Sequence, residues 1–320
     1  VHYTTRHRDR KFLLTNSALA RLRSCERKHY LRDIAGLVSR FKSPEMGTGS
    51  AFHIGILEQS PLAAAQCLRG SEEVPWPEGA VDEALEERCL VVEAMVAAAL
   101  KKWTDWPEKR EIPFRLPVFS LKNYPSHNYD MAGVVDGWPS DNPMSHWHDK
   151  IGEWKTTGRL SSNYLLGLQT RSQPTAYCYA ASVLLGRPIR TVVYRIVQRP
   201  TIKRRTKRQP ESLEEYANRL STYYDERPEL LFEEQVTRTD HQILEWQAEM
   251  FEASKRAHEI RRGDRFPIMN DAACVTFGKC SYLDLCARSV TEEAYDVATD
   301  PHPEITAAMN AANAMNGETK

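Results

Sequence analysis

No apolar run in the chain approaches the roughly 20 residues that cross a membrane, and no hydrophobic secretion signal opens it. Its first residues, His2 to Lys11, are basic and polar. Both absences argue against a membrane span or a secreted disulfide scaffold and lead us to expect a cytoplasmic location. Excess charge is lacking too: 43 Lys and Arg balance 43 Asp and Glu. Any surface for a polyanion must therefore be local. There is no G-x-x-x-x-G-K-[ST] run and no internal repeat, which argues against a built-in nucleotide-driven motor and a solenoid. The cysteines number seven, an odd count, and in a reducing compartment they point to metal, catalysis or packing. What is present suffices for a sizeable core: 320 residues, 41% of them hydrophobic.

The most informative segment is Gly133-Val134-Val135-Asp136-Gly137, followed by Ile151-Gly152-Glu153-Trp154-Lys155-Thr156-Thr157. It reads as two short apolar strands, one ending in an Asp, the next carrying Glu and Lys two residues apart. Alternate strand residues share a face, so Glu153 and Lys155 point together and Trp154 points away. If the strands are neighbours, Asp136 and Glu153 can share a hard divalent cation, Mg²⁺ or Mn²⁺, beside an ammonium group. The lysine can then orient an attacking water, which is hydrolytic chemistry suited to a phosphodiester. Upstream, Met46-Gly47-Thr48-Gly49-Ser50-Ala51-Phe52-His53 reads as a helix whose small and hydroxyl residues cap its start, with His53 in the first turns. Downstream, Gln173-Pro174-Thr175-Ala176-Tyr177 opens a helix, and its i, i+4 spacing lets Gln173 and Tyr177 face one cleft. Pro174 is tolerated in a first helical turn.

This ordered series, from about Thr15 to Arg288, resembles the PD-(D/E)XK nuclease superfamily. Within it the chain is most similar to the RecB-like branch that includes CRISPR-associated adaptation exonucleases and phage homologues. The resemblance implies an α/β fold, a restriction-endonuclease-like central mixed sheet flanked by helices, with a helical insertion. It implies a metal-dependent DNA nuclease, expected to be an exonuclease in recombination, repair or phage DNA processing, inside a bacterial or phage-infected cell. Asp136, Glu153, Lys155, Gln173 and Tyr177 would form the catalytic set. His53, Asp136, Glu153 and the backbone carbonyl of Trp154 would hold the metal. DNA, single-stranded or at duplex ends, is the expected partner, with a separate recombination protein or helicase as a further one, and no membrane.

Three cysteines, Cys274, Cys280 and Cys286, recur at even intervals near the carboxyl end, and Cys25 lies far upstream. Four thiolates can hold a 4Fe–4S cluster. One amino-terminal and three carboxy-terminal cysteines resemble the iron–sulfur arrangement of RecB-like nucleases, where the cluster joins the two ends of the domain. The spacing here is C-x5-C-x5-C, against C-x2-C-x5-C in better-known members. A four-cysteine zinc site or reduced structural cysteines would use the same residues. Cys67, Cys89 and Cys178 sit in helical, alanine-rich contexts and read as small buried hydrophobes.

Apolar periodicity predicts a first helix capped by Thr15 or Asn16, a strong helix over 82–103, and a loop at Pro75-Trp76-Pro77. Strands are expected at 114–121, 129–138 and 190–198, the last central, with a further strand near 230–237. Helices are expected at 162–185, 211–224 and 241–262. Residues 1–14 read as flexible and 291–320 as a disordered tail. Between them, 15–290 reads as one nuclease domain: a helical part (15–110), a catalytic core (111–262) and a cysteine-rich segment (263–290). The run Lys203-Arg204-Arg205-Thr206-Lys207-Arg208 could neutralise several phosphates without reading sequence. Arg159 is a candidate backbone contact, and Arg21, Arg23, Arg27, Lys28 and Arg32 offer a second basic edge. Two competing readings are a non-catalytic DNA-binding or assembly subunit, and a four-cysteine zinc protein gripping nucleic acid through the basic loop.

Overall fold

The computed structural model describes residues 11–40, 44–71, 82–207, 209–276 and 278–315. Arg208 and the expected loop at Pro75-Trp76-Pro77 lie outside them. The chain opens on strand β1 (Phe12–Thr15) and helix α1 (Asn16–Ser24), where Thr15 caps the helix by accepting the Ala18 N–H at 3.1 Å. A short α2 (Glu26–His29), strand β2 (Leu37–Ser39) and three helices follow, α3 (Pro44–Leu57), α4 (Pro61–Ser71) and α5 (Glu83–Lys102). Then come β3 (Arg110–Phe119), β4 (Pro125–Gly137), β5 (Lys150–Thr157), α6 (Ser162–Thr170), α7 (Ser172–Leu185), β6 (Thr191–Gln198), α8 (Leu213–Asp225) and β7 (Leu231–Thr237). The long α9 (Asp240–Arg262), a one-turn α10 (Leu283–Cys286), β8 (Tyr295–Val297) and α11 (Pro303–Met315) complete the order.

The main sheet is mixed, in the order β1-β4-β5-β6-β7, with β3 along the other edge of β4. Strand β6 is buried on both faces, as its unbroken apolar run dictates. Val192, Tyr194 and Ile196 enter one core with α1, α7 and α9; Val193 and Val197 enter a second with α3, α4, α5 and α8. Helices thus cover both faces, the architecture expected of a restriction-endonuclease-like fold. Cys89 and Cys178 are fully buried in these cores.

The sheet contains one fork, and the candidate site grows from it. Strand β4 pairs with β1 in parallel through Tyr129–Ala132, but meets antiparallel β5 only at Gly137 and Gly152. Side chains are excluded at that rung. A Cβ on Gly137 would stand 2.7 Å from Pro107 Cγ and 2.9 Å from the Trp154 ring, and one on Gly152 would collide with the same ring.

Several expectations are corrected. Residues 12–14, expected to be flexible, form β1 with Thr15 because β4 offers them a backbone partner. The tail is ordered through residue 315: β8 pairs with β2, Tyr295 stacks on Tyr282, and Ile305 is buried. Helix α3 begins at Pro44, so Gly47 to Ser50 lie within it and His53 falls in its third turn. The expected 162–185 helix breaks at Arg171, whose backbone is extended, and this restart places Gln173 in the first turn of α7. Strand β3 starts at Arg110, four residues ahead of expectation.

Candidate active site

Beyond the Gly137–Gly152 rung the two strands part, and Asp136 bridges the gap. Its Oδ2 accepts the Trp154 N–H at 2.8 Å, taking the place of a ladder bond. Trp154 turns its ring to the opposite face, edge-on to Trp106 at 4.9 Å and Trp147 at 6.3 Å. That burial fixes β5 and leaves Glu153 and Lys155 on the site side, as strand alternation requires. Glu153 is fully buried and ion-paired with the Lys155 ammonium. Its Oε1 also accepts from Gln173 Nε2 at 2.9 Å, and the same amide donates to the Tyr177 hydroxyl at 2.9 Å. Tyr177 is in turn packed edge-on against Phe114 at 6.1 Å.

Helix α3 lies over this fork and delivers His53, whose Nδ1 is 3.6 Å from Asp136 Oδ2 and 3.7 Å from Glu111 Oε1. One ligand atom from each of His53, Glu111 and Asp136 falls within 4.8 Å of the other two. Sequence reading missed Glu111. The residue sits near the start of β3, between Arg110, opposite Gly137, and Ile112, opposite Val135. It holds a left-handed φ of 52°, uncommon for a non-glycine residue. The one signal available was its place on the strand that pairs with the Asp136 strand, where cross-strand neighbours share a face.

The electrostatics of the fork favour a cation. Burial pushes the Glu153 carboxyl up to about 7, and the neighbouring Asp136 charge adds to this against the pull of Lys155. Burial likewise raises Asp136, with His53 and Lys155 opposing. Burial works against the His53 imidazolium, but the nearby Asp136 and Glu111 carboxylates outweigh it and raise the group. Lys155 is also raised, Glu153 and Asp136 overcoming its burial. Two carboxylate oxygens, Glu153 Oε2 and Glu111 Oε1, are buried with no hydrogen-bond partner. Such orphaned acceptors are costly unless something positive meets them. With the imidazole beside them, they form a donor set that suits Mg²⁺ or Mn²⁺.

Other expected sites fare differently. Arg204 is tied into the protein: it pairs with Glu83 and with Glu87 at 2.7 Å and donates to the Glu211 carbonyl at 3.1 Å. It fastens the loop to α5, so its guanidinium is taken up within the protein and is not free for the phosphate contact expected of it. Arg205 lies 3.6 Å from Glu211 but is exposed, as are Lys203, Lys207 and Arg159. The four cysteines gather where the chain ends meet. Asn270 donates its N–H to Cys25 Sγ at 3.4 Å, and the Cys280 N–H donates to the Cys274 carbonyl at 2.9 Å. Burial raises the Cys274 thiol, with Cys280 and Cys25 adding to it. Burial raises Cys286 as well; Arg27 opposes that, and the other three cysteines reinforce it. Protein contacts already join this region: Tyr282 donates to the Leu37 carbonyl at 2.6 Å, and Ile268 N–H donates to Glu26 at 3.1 Å. No helix among the described residues is long and apolar enough to cross a membrane.

The sequence profile of the PD-(D/E)XK nuclease superfamily matches residues 14–287, most of the chain, and the chain belongs to that superfamily. Among solved structures it is similar to a "Putative exonuclease" from Eubacterium rectale, with a TM-score of 0.51 and 11% identity over 91% of this chain and 94% of that one. A second solved structure, SSO0001, aligns over 89% of this chain and 91% of its own at 10% identity, with a TM-score of 0.34. No curated protein matches the chain.

Proposed function

We propose that the chain is a Mg²⁺- or Mn²⁺-dependent deoxyribonuclease of the RecB-like branch that degrades DNA from its ends. The observation that carries this reading is the convergence of Asp136, Glu153, Lys155, His53 and Glu111 on a fork containing two orphaned carboxylate oxygens. Exonuclease action is favoured by the motif resemblance and by the name of the Eubacterium rectale neighbour.

Asp136, Glu153, the Trp154 carbonyl and His53 would hold the divalent ion, with Glu111 as the added ligand. When bound, the ion supplies electrophilic stabilisation of the charge that develops on the scissile phosphate. Lys155, held by Glu153, is placed to orient the attacking water. Gln173 fixes the Glu153 carboxylate by donating to one oxygen, which would leave the other as a ligand for the ion. Tyr177 fixes Gln173 in turn. In this arrangement Gln173 and Tyr177 position the acid and have no need to touch DNA. The test is cleavage of linear DNA labelled separately at each end, with Mg²⁺ or Mn²⁺, comparing wild type with Asp136→Ala and Lys155→Ala. Wild type alone should release label, and cleavage surviving either substitution would overturn the assignment.

We further propose that Cys25, Cys274, Cys280 and Cys286 hold a 4Fe–4S cluster, supported by the motif resemblance and by the segment that carries Cys274 and Cys280 folding back on Cys25, where the Asn270 N–H meets Cys25 Sγ. Protein purified without oxygen should contain iron and acid-labile sulfide and absorb visible light. Zinc in their place, or a colourless and equally stable protein, would exclude the cluster.

A further inference from the structure

Away from the fork, a cavity of about 730 Å³ lies between α2, the turn after α9 and the cysteine-rich segment. Three arginines, Arg27, Arg265 and Arg288, line it, with one acid, Glu292. Their partners differ. Arg265 is held by Glu26 at 2.8 Å, whereas Arg27 and Arg288 have no ion-pair partner among the described residues. The Arg27 guanidinium instead lies over the Phe266 ring, 5.4 Å from its centroid. Phe266 is 75% exposed, and Ile268, Met269 and Val275 beside it in sequence are also exposed. Neighbouring arginines are occupied: Arg21 is bidentate to Asp33 at 2.6 and 2.8 Å, and Arg23 pairs with Glu249. Lys28 and Arg32 of the same edge also have no ion pair among the described residues, but only Arg27 and Arg288 of these unpaired groups line the cavity, and Arg27 lies over the exposed ring.

We propose that this groove binds a single-stranded segment of nucleic acid, with a base stacked on Phe266 and backbone phosphates at Arg27 and Arg288. An exposed ring offers every base a π-face, and unpaired guanidinium groups beside it meet phosphate, the combination that non-specific single-strand sites use. A duplex hides its base faces and cannot stack on Phe266. Position also fits. Helix α1 starts beside the fork, where Asn16 Oδ1 is 3.4 Å from Ser172 Oγ, next to Gln173, and ends at the residue before Cys25. Its nine residues span about 14 Å, so this helix links the neighbourhood of the fork to that of the groove. This inference deepens the nuclease reading by adding a remote grip on the same substrate.

The test uses full-length protein purified without oxygen, in wild-type form and as Phe266→Ala, Arg27→Gln/Arg288→Gln and Glu252→Gln, the last an exposed acid as control. Anisotropy of a fluorescein-labelled oligothymidylate, in EDTA and over a range of salt, reports affinity. Phe266→Ala should weaken binding about tenfold at unchanged salt slope. The double arginine variant should weaken it and reduce the slope by about 0.7 for each phosphate no longer neutralised. Affinity for a blunt duplex of the same length should hardly change in any variant. Hydrolysis of the p-nitrophenyl ester of thymidine 5′-monophosphate, too small to reach the groove, separates the two readings. Unchanged oligothymidylate affinity in both variants overturns the groove, whatever the hydrolysis shows. Phe266-dependent binding by a wild type that hydrolyses nothing keeps the groove and removes the nuclease reading.

Discussion

Glu153 is held by Gln173 and Lys155, one carboxylate oxygen fixed by an amide and an ammonium, the other left bare. Gln173→Ala should therefore lower kcat about a hundredfold through loss of position while hardly changing the fold, and Gln173→Glu should do worse by adding a like charge. Steady-state kinetics and thermal melts of the same preparations check this. The pH dependence follows from the raised groups. Glu153, raised from an ordinary 4.5 to about 7, binds its proton more tightly folded than unfolded, and Asp136 shifts the same way. His53 and Lys155 are raised too, and a raised base likewise loses stabilisation as pH climbs through its folded value. All four have the same sign, but Lys155 acts only above its ordinary 10.5; through Glu153, Asp136 and His53, stability without metal should fall as pH rises from about 5 to 8. Added Mg²⁺ binds the deprotonated carboxylates and should flatten that slope, whereas in Glu153→Gln the slope itself should shrink. Melts across pH, with and without Mg²⁺, decide it; a metal-free melting temperature that rises over this range would contradict the site's electrostatics. At this scale the sequence was legible wherever a period set the geometry. Alternation placed Glu153 and Lys155, and the i, i+4 spacing joined Gln173 to Tyr177. Glu111 was not legible, because nothing in a glutamate announces a left-handed backbone. Nor was the pairing of Arg204, whose partner Glu83 is 121 residues away in the chain.

Among elements, β6 carries an unusual load. Arg195 is buried to 2% exposure, yet its guanidinium lies 4.8 to 5.4 Å from the centroids of Trp103, Trp106 and Trp147. It also pairs with Asp105 at 2.6 Å and Glu233 at 3.0 Å. Two of those rings pack edge-on against Trp154, so the cage braces the strand of Glu153 from behind. Arg195→Ala should cost about 3 kcal/mol, since both acids are partly exposed and can be rehydrated while the cation that the three rings enclose is gone. Denaturant unfolding measures this cost, and a red shift of tryptophan emission reports the opened cage. The strand itself was readable from Thr191-Val192-Val193-Tyr194-Arg195-Ile196-Val197; the role of its one charge was not, because the three rings come from elsewhere in the chain. The start of β3 was hidden for a similar reason. Pro113 and the charged pair Arg110-Glu111 argue locally against a strand, and pairing with β4 overrides them.

Over the whole molecule, the two ends of the chain are clasped by protein contacts that surround the cysteines. Tyr282 stacks on Tyr295 at 5.5 Å, β2 pairs with β8, and α11 lies against β3 and β4. Deleting residues 291–320 should lower the melting temperature by about 5–10 °C, because buried side chains such as Tyr295 and Ile305 are removed and the β2 edge is bared. Scanning calorimetry of the truncated and full chains tests this, and equal melting temperatures would show that the clasp is ornamental. The order of this tail was illegible because it resides in pairing between distant segments. A polar, Ala/Asn/Met-rich stretch looks the same whether or not a partner strand awaits it.

The fork at Asp136 bears on how the protein should be disarmed for trapping experiments. One carboxylate oxygen both faces His53 and closes the gap between strands by accepting the Trp154 amide. Alanine at that position abolishes charge and latch together, and leaves a buried amide searching for water. Asparagine keeps an acceptor of the same reach and discards only the charge. A substrate snare built on Asp136→Asn would preserve the native mouth of the site, whereas one built on Asp136→Ala would record the shape of a sheet that has begun to unzip.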